Sequence, residues 1–522
     1  MSHTLAPVLM IQGTSSNVGK SLLVTALCRW FANKGLKVAP FKAQNMSLNS
    51  SVTRSGAEIG CAQAFQAEAA RTVPTADMNP ILLKPEGERR SQVIVLGKPM
   101  GSHGFLEYHE QKPMLRTLIL SSLETLRRTH DLVIIEGAGS PAEINLKAHD
   151  LVNMFVALEA QAPVLLVGDI DKGGVFAALV GTLELLEPQE RELVVGFIVN
   201  KFRGDPRLLD SGLRMLEERT QKKVFGLVPF LSQHGVADED SLALDTRPSR
   251  LRRSLDCIDI GIVRWPRMSN YDEFNALERE AGTSVAFITE ARDILDADLL
   301  ILPGSKATLS DLAWCRSRGL AAAICERIRL KKPTFAICGG FQMLGQRIED
   351  PEGFEAQEPS VMEALGILPV STRFGADKIT RQVQVRWHQA SWGFDSVPSF
   401  AGYEIHMGRI HHEGSHSRRA FDLQTTEINE ATQNSHCLQE HEGYFDEEAQ
   451  LLATLVHGLF EDATFRMGVL NHLRRRKGLT PLLSSSVPPR DQAYDRMADH
   501  IGEHCDMKAL ISLLKLETRI DL

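Results

Sequence analysis

Short apolar runs alternate with helix-like segments along most of the chain, and no other feature restricts the possible fold so strongly. VLMIQ precedes a helical pattern that begins near Lys20, and LKVAPFK precedes the Gln- and Ala-rich IGCAQAFQAEAAR. DLVIIEG, APVLLVGD, LVVGFIVNK and KVFGLVPF then follow in turn. Strand-then-helix repetition predicts βαβ units and a parallel sheet with helices on both faces. The near-continuous apolar character of several runs fits strands buried on both faces. A polar, charge-mixed stretch from Asp238 to Ser254 reads as a linker, and a second series follows it: CIDIGIVR, SVAFITE, DLLILPGS, KPTFAICGG. Between Arg381 and Ile410 the pattern becomes strand-rich, LLATLVHGLF reads as one more strand, and helical character runs to Leu522. A chain of 522 residues is too long for one core. The predicted class is α/β, with domains at 1–240 and 257–475, a linker at 241–256 and a helical tail at 476–522.

GTSSNVGKS, residues Gly13 to Ser21, sits between the first strand and its helix. A Gly-Lys-Ser triplet alone describes any capped helix start; with a strand before it and a helix after it, the stretch reads as a phosphate loop. Backbone N–H groups and the positive helix end surround phosphates, Lys20 adds a point charge, and the Ser21 hydroxyl is a Mg²⁺ ligand. Gly13, Thr14, Asn17, Gly19, Lys20 and Ser21 are therefore the candidate nucleotide contacts. DLVIIEGAGS ends a strand in Glu136, where a second Mg²⁺ ligand belongs. APVLLVGDIDKGG repeats the arrangement with Asp169 and Asp171, and FIVNKFRGD sets Asn200 at a strand end, where an amide can read the adenine edge.

KKPTFAICGGFQMLG puts Cys338 at a strand-to-helix turn followed by Gly339 and Gly340. A sharp turn of this kind exposes a nucleophile and aims backbone N–H groups at a developing oxyanion. A lone Cys after an apolar strand is usually a small core residue, but two glycines behind it serve no core purpose. The sulfur needs a proton partner, and His457 in TLVHGLF is the leading candidate. GYEIHMGRIHHEGSH holds His406, His411, His412 and His416; without a Cys or acidic ligand at a recognised spacing, these read as polar loop histidines.

Composition excludes several classes. The formal net charge is −8 and no basic run is long, so neither nucleic acid nor a membrane surface is an expected partner. Eight cysteines without a CxxC pair indicate neither a disulfide framework nor a zinc ribbon. No signal peptide and no bilayer-length apolar stretch are visible, so a cytoplasmic protein is expected.

Five residues separate Gly13 from Gly19, one more than the common loop. That spacing together with EGAG resembles the dethiobiotin synthetase branch of phosphate-loop proteins, whose members phosphorylate a carboxylate or carbamate. With KAQNMSLNS (Lys42 to Ser50), MNPILLKP, GDIDKGGVFAALVGTL and NKFRGD, the chain resembles the cobyrinic/cobyric acid synthase family over almost its whole length. Its C-terminal half is similar to a class I glutamine amidotransferase. The resemblance implies Cys338 as nucleophile, His457 as base, and Gly304 with Gly339 at the oxyanion and glutamine site. It implies ATP and Mg²⁺ as cofactors, with no prosthetic group. Acyl phosphate intermediates and an internal channel for ammonia from glutamine are expected with it. The corrinoid substrate that the resemblance implies is adenosylcobyrinic acid a,c-diamide, amidated at b, d, e and g. The diamide-forming relatives carry an aspartate-rich motif where this chain has KAQNMSLNS, so Lys42, Gln44, Asn45 and Asn49, with Asp169, are the candidate substrate contacts. Amidation of another corrinoid or polycarboxylate is the alternative. A partition ATPase would carry an early loop Lys where Thr14 and Ser15 stand, and a murein amidotransferase would carry a Mur-ligase-like half. Two departures stand out: Ala336 replaces a usual Gly, and the usual His-x-Glu is His457-Gly458-Leu459. The expectation is a Cys–His dyad, with Glu461 as a substitute carboxylate. A homodimer is compatible with the sequence, which does not specify one.

Overall fold

The computed structural model describes residues 5–86, 90–232, 244, 247–356, 358–387, 392, 394, 398–413, 418–428 and 435–520. They fall into two compact units: Met1–Ser47, Ala57–Asp240 and Pro488–Leu522 form the first, Leu48–Gly56 and Ser241–Val487 the second. Much of the expected linker, and His416, lie outside the described residues.

Six parallel strands organise the first unit. They are β1 (Val8–Gly13), β2 (Val38–Phe41), β3 (Leu132–Glu136), β4 (Val164–Asp169), β5 (Val194–Phe202) and β6 (Lys223–Pro229). Their order is β6-β5-β4-β1-β3-β2. Each coincides with an apolar run legible in the sequence, and β1, β2, β3 and β4 are buried throughout. The chain leaves β1 toward one edge of the sheet and β4 toward the other, which opens a crevice over their carboxyl ends. Parallel pairing sets Ile11 opposite Glu136, Gly13 opposite Val167, and Asp169 opposite Asn200. The ends of four strands thus surround the start of helix α1 (Lys20–Asn33).

The segment from 476 onward does not form a tail of its own. Helix Arg490–His504 lays Tyr494, Met497 and Ile501 into the same core as Leu23, Leu27 and Phe31 of α1. Arg29 of α1, 1% exposed, bonds Asp495 at 2.7 Å and Asp491 at 3.0 Å. An apolar stripe and a buried cation together hold the chain's end against α1.

The second unit repeats the principle with shorter strands. β7 (Ile258–Val263), β8 (Thr283–Ile288), β9 (Leu299–Leu302) and β10 (Thr334–Ile337) are parallel. The long strands β11 (Val370–Trp387) and β12 (Ser399–His412) pair antiparallel in another sheet. The chain then returns through β13 (Tyr444–Asp446), β14 (Leu451–Thr454) and β15 (Val456–His457). The central order is β8-β7-β9-β10-β14-β13. LLATLVHGLF, expected as one strand, is two: β14 pairs with β10, and β15 pairs with β12. The break is at Leu455, whose N–H donates to Glu442 at 2.6 Å instead of continuing the ladder. It turns His457 away from the central sheet.

Candidate functional site

The first unit gathers its predicted residues at the carboxyl end of β1. Gly19 has φ 99°, a backbone conformation that side chains other than glycine resist. A Cβ there would lie 2.3 Å from Nδ2 of Asn200. Lys20 Nζ donates to the carbonyls of Ser15 at 3.0 Å and Gly139 at 3.1 Å, so the cation is held inside the loop. Asn200 Nδ2 donates to Val18 O at 2.8 Å, and Lys201 Nζ donates to Asn17 O at 2.5 Å. Asn200 thus braces the loop from below. Thr14 N closes the base of the loop by donating to Val167 O at 2.9 Å.

Glu136 is the hub. Its Oε1 accepts from the Ser21 hydroxyl at 2.9 Å and from Lys42 Nζ at 2.9 Å, and its Oε2 accepts from Gln66 Nε2 at 2.5 Å. A hydroxyl and a carboxylate sharing one point are a hard-oxygen donor set, which fits Mg²⁺ with water and phosphate oxygens completing the shell. Among the described residues no group of three or more His, Cys, Asp or Glu side chains is arranged for a metal.

The run after β2 is divided. Asn45 is buried and donates to Gln63 at 2.9 Å, while Gln44 accepts from the Tyr108 hydroxyl. Asn49 belongs to the second unit, where its Oδ1 accepts from Tyr271 N at 3.1 Å. Asp169 pairs with Lys201 at 2.9 Å and accepts from Asp171 N at 3.0 Å.

In the second unit, Cys338 ends β10 at φ 49° and ψ −107°, positive φ for a residue with a Cβ. Strain of this kind is what a nucleophile turn would need. Its N–H donates to Thr454 O at 2.7 Å. Helix Gly339–Leu344 follows at once, and a Cβ on Gly339 would lie 2.7 Å from Ser305 N. The two glycine turns therefore abut, and a Cβ on Gly304 would sit 3.2 Å from Cε1 of His457. Ala336 is fully buried in β10, a core position that accepts its methyl group.

His457 has a carboxylate partner, which corrects the expectation of a dyad. Its Nδ1 lies 3.0 Å from Oε1 of Glu273, and Gly458 N donates to Oε2 at 3.1 Å. Burial pulls the imidazolium down. The charge of Glu273, together with hydrogen bonds to Cys338 and Glu273, outweighs that and raises its pKa to about 10. Glu461, the expected substitute, lies in the turn Leu459–Glu461, and its carbonyl accepts from Arg466 at 3.3 Å. Tyr403 stacks on the imidazole at 5.4 Å, and its hydroxyl accepts from Asn270 Nδ2 at 2.9 Å. Sequence reading missed Glu273 because 184 positions separate it from His457. The one available signal was NYDEF, an acidic pair in the segment that follows a buried strand.

His406 bonds the Gly408 carbonyl at 2.8 Å, and His411 and His412 lie in β12 opposite Ser371 and Val370. No helix among the described residues is long and apolar enough to cross a membrane.

Comparison with known proteins agrees with this division. Residues 9–242 match the CobQ/CobB/MinD/ParA nucleotide binding domain, and residues 259–465 match the CobB/CobQ-like glutamine amidotransferase domain. A cobyric acid synthase of Sorangium cellulosum is 48% identical over 98% of this chain and 100% of its own length. Those of Dehalococcoides mccartyi, at 45% over 98% of this chain and 99% of theirs, and Herpetosiphon aurantiacus, at 44% over 99% and 100%, are similar. Through both halves and over nearly its full length, the chain belongs to the cobyric acid synthase family.

Proposed function

We propose that the chain is a glutamine-hydrolysing carboxylate-amide ligase of cobalamin biosynthesis. It converts the b, d, e and g carboxylates of adenosylcobyrinic acid a,c-diamide to amides. The observation that carries this reading is the pairing, in one chain, of a phosphate loop closed on Glu136 with a strained Cys338 facing His457.

Each half supplies what the other lacks. A carboxylate is a poor electrophile, and phosphorylation by ATP makes its carbon attackable. In the first unit the loop N–H groups and Lys20 hold the phosphates, and Lys42 offers a cation where the carboxylate must approach the γ-phosphate. Mg²⁺, held by Ser21 and Glu136, supplies neutralisation of phosphate charge. The substrate oxygen attacks phosphorus, ADP leaves, and ammonia then displaces phosphate from the acyl phosphate.

In the second unit the Cys338 sulfur attacks the glutamine amide carbon. The oxyanion is met by backbone N–H groups of the Gly304 and Gly339 turns. His457 delivers the proton that lets the C–N bond break and ammonia depart, and water then hydrolyses the thioester to glutamate.

The test is mass spectrometry of the corrinoid diamide incubated with enzyme, ATP, Mg²⁺ and glutamine. Successive carboxylate-to-amide shifts are expected. Cys338→Ala is expected to abolish them with glutamine and to keep them with free ammonia. An unmodified corrinoid under all conditions, or a Cys338→Ala enzyme that ammonia does not rescue, overturns the two-site scheme.

A further inference from the structure

Glu273 lies on the short turn Tyr271–Phe274 that follows β7, and its side chain is 2% exposed. A carboxylate removed from water this completely is costly unless both oxygens are engaged. Here both are, and by consecutive residues: Oε1 meets His457 Nδ1 and Oε2 accepts from the main-chain N–H of Gly458. The double grip fixes the ring and the backbone that carries it. A proton on Nδ1 leaves Nε2 as the nitrogen that serves the sulfur.

The same turn controls the ring from a second direction. Asn270, just before it, donates to the hydroxyl of Tyr403, and the Tyr403 ring lies nearly parallel to the imidazole, at 17°. Asn270 and Glu273 thus hold the face and the Nδ1 edge of one histidine. The turn is itself pinned, since Tyr271 N donates to Asn49 and Asn270 Nδ2 donates to the carbonyl of Ser50. Glu442, by contrast, accepts from Leu455 N, two residues upstream of His457, and from the Thr454 hydroxyl.

We infer that Glu273 is the positioning residue of the glutaminase, taking over from a different loop the work that His-x-Glu would do on the strand of His457. It acts through His457 on the reaction at Cys338. The groups facing the imidazole are Glu273 from its turn, Cys338 from the end of β10 and Tyr403 from β12. The position after Gly458 is free to be Leu459, a fully buried core side chain, because the carboxylate arrives from elsewhere.

This inference rests on the glutaminase reading, and the experiment separates the two. Glutamate release is followed with glutamine alone, and amidation with free ammonia, in wild type, Glu273→Gln, Glu273→Asp and Glu461→Gln. Glu273→Gln keeps an acceptor for Gly458 N but removes the charge. Its kcat for glutamine is expected to fall about 10²–10⁴-fold, by analogy with neutralising the carboxylate of a hydrolytic triad. KM is expected to stay within about threefold, and ammonia-dependent amidation to be unchanged. The alkaline limb of kcat/KM moves to lower pH, because the imidazolium loses its anionic partner. Glu273→Asp, which restores the charge on a shorter arm, recovers part of kcat and of the limb. Glu461→Gln behaves as wild type.

A Glu273→Gln enzyme with kcat within about twofold of wild type and an unmoved limb overturns the inference. So does a fall in ammonia-dependent amidation matching the fall with glutamine, which would mark Glu273 as a folding residue. If Glu273→Gln does not fold, the aspartate variant decides alone: wild-type kcat and an unmoved limb overturn the role, and a lowered kcat with a shifted limb supports it. Absence of glutamate release from wild type defeats the glutaminase reading itself.

Discussion

Two strand-to-helix turns carry the chemistry proposed for this chain, and they are built in opposite ways. The turn after β1 is a long loop whose middle residues Ser15, Ser16 and Asn17 are exposed, held from beneath by side chains of Lys20, Asn200 and Lys201. The turn after β10 is a single strained residue, Cys338, buried and held by main-chain bonds from Cys338 N to Thr454 O and from Gly340 N to Pro303 O. A loop that must wrap phosphates needs open space and adaptable braces. A turn that must aim one sulfur atom needs the opposite, and it stores strain that only close packing can sustain. Damage to the first should therefore cost ligand affinity, and damage to the second should cost fold.

The largest effect is expected at Gly340. A Cβ there would lie 2.2 Å from Leu302 O, a backbone atom that cannot swing aside. Gly340→Ala should destabilise the second unit by about 3 kcal/mol or more and abolish glutamine hydrolysis. Denaturant unfolding measures the first effect and glutamate release the second. A variant of wild-type stability would mean that the Cys338 turn has slack and that strain is not what aims the sulfur.

Gly19→Ala tests the other turn and should do less to the fold. Its obstacle is the end of a movable Asn200 side chain, together with φ 99°. The local cost is about 1–2 kcal/mol. Losing the Asn200 brace should weaken ATP binding at least about tenfold, measured by calorimetry, while glutamine hydrolysis stays intact. Equal loss of both activities would erase the distinction between the two turns.

What the chain disclosed in advance follows the same division. All six strands of the first sheet were legible as apolar runs, most fully the four that are buried throughout. The Gly13–Ser21 loop and the Cys338 turn were legible as strand-to-helix turns because their signals are local in sequence. Features that depend on distant partners were not. Glu273 meets His457 across 184 positions, Asn49 falls in a different unit from Asn45, and Arg490–His504 returns to α1. LLATLVHGLF gave no sign of its break, because the acceptor that turns Leu455 out of the ladder is Glu442 on another strand.

Protonation offers the finest way to sharpen the comparison, because three carboxyl groups of the second unit are shifted up while Asp495 of the first is shifted down. In the second unit burial raises Asp311 and Glu355 to about 7 and Glu442 to about 8, while His457, held by Glu273, rises to about 10. For each of these the folded state keeps its proton more tightly than the unfolded chain. Their stabilisation is complete below the unfolded values and is lost as pH rises through the folded ones, at about 1.4 kcal/mol per pH unit for each proton retained. In the first unit the Arg29 guanidinium lowers Asp495 to about 2, so that contribution is present above the unfolded value and is lost as pH falls through the folded one. Hydrogen exchange read by mass spectrometry, corrected for intrinsic rate, reports each unit separately. Between pH 6 and 9 protection should fall around β10 and β14, and below about pH 4 it should fall first where Arg490–His504 meets α1. Glu442→Gln, a neutral side chain able to keep both hydrogen bonds, should flatten the alkaline decline and leave the acid transition unchanged. An undiminished alkaline slope in that variant would mean that Glu442 carries no proton in the folded unit, and that His457, Asp311 and Glu355 account for the decline without it.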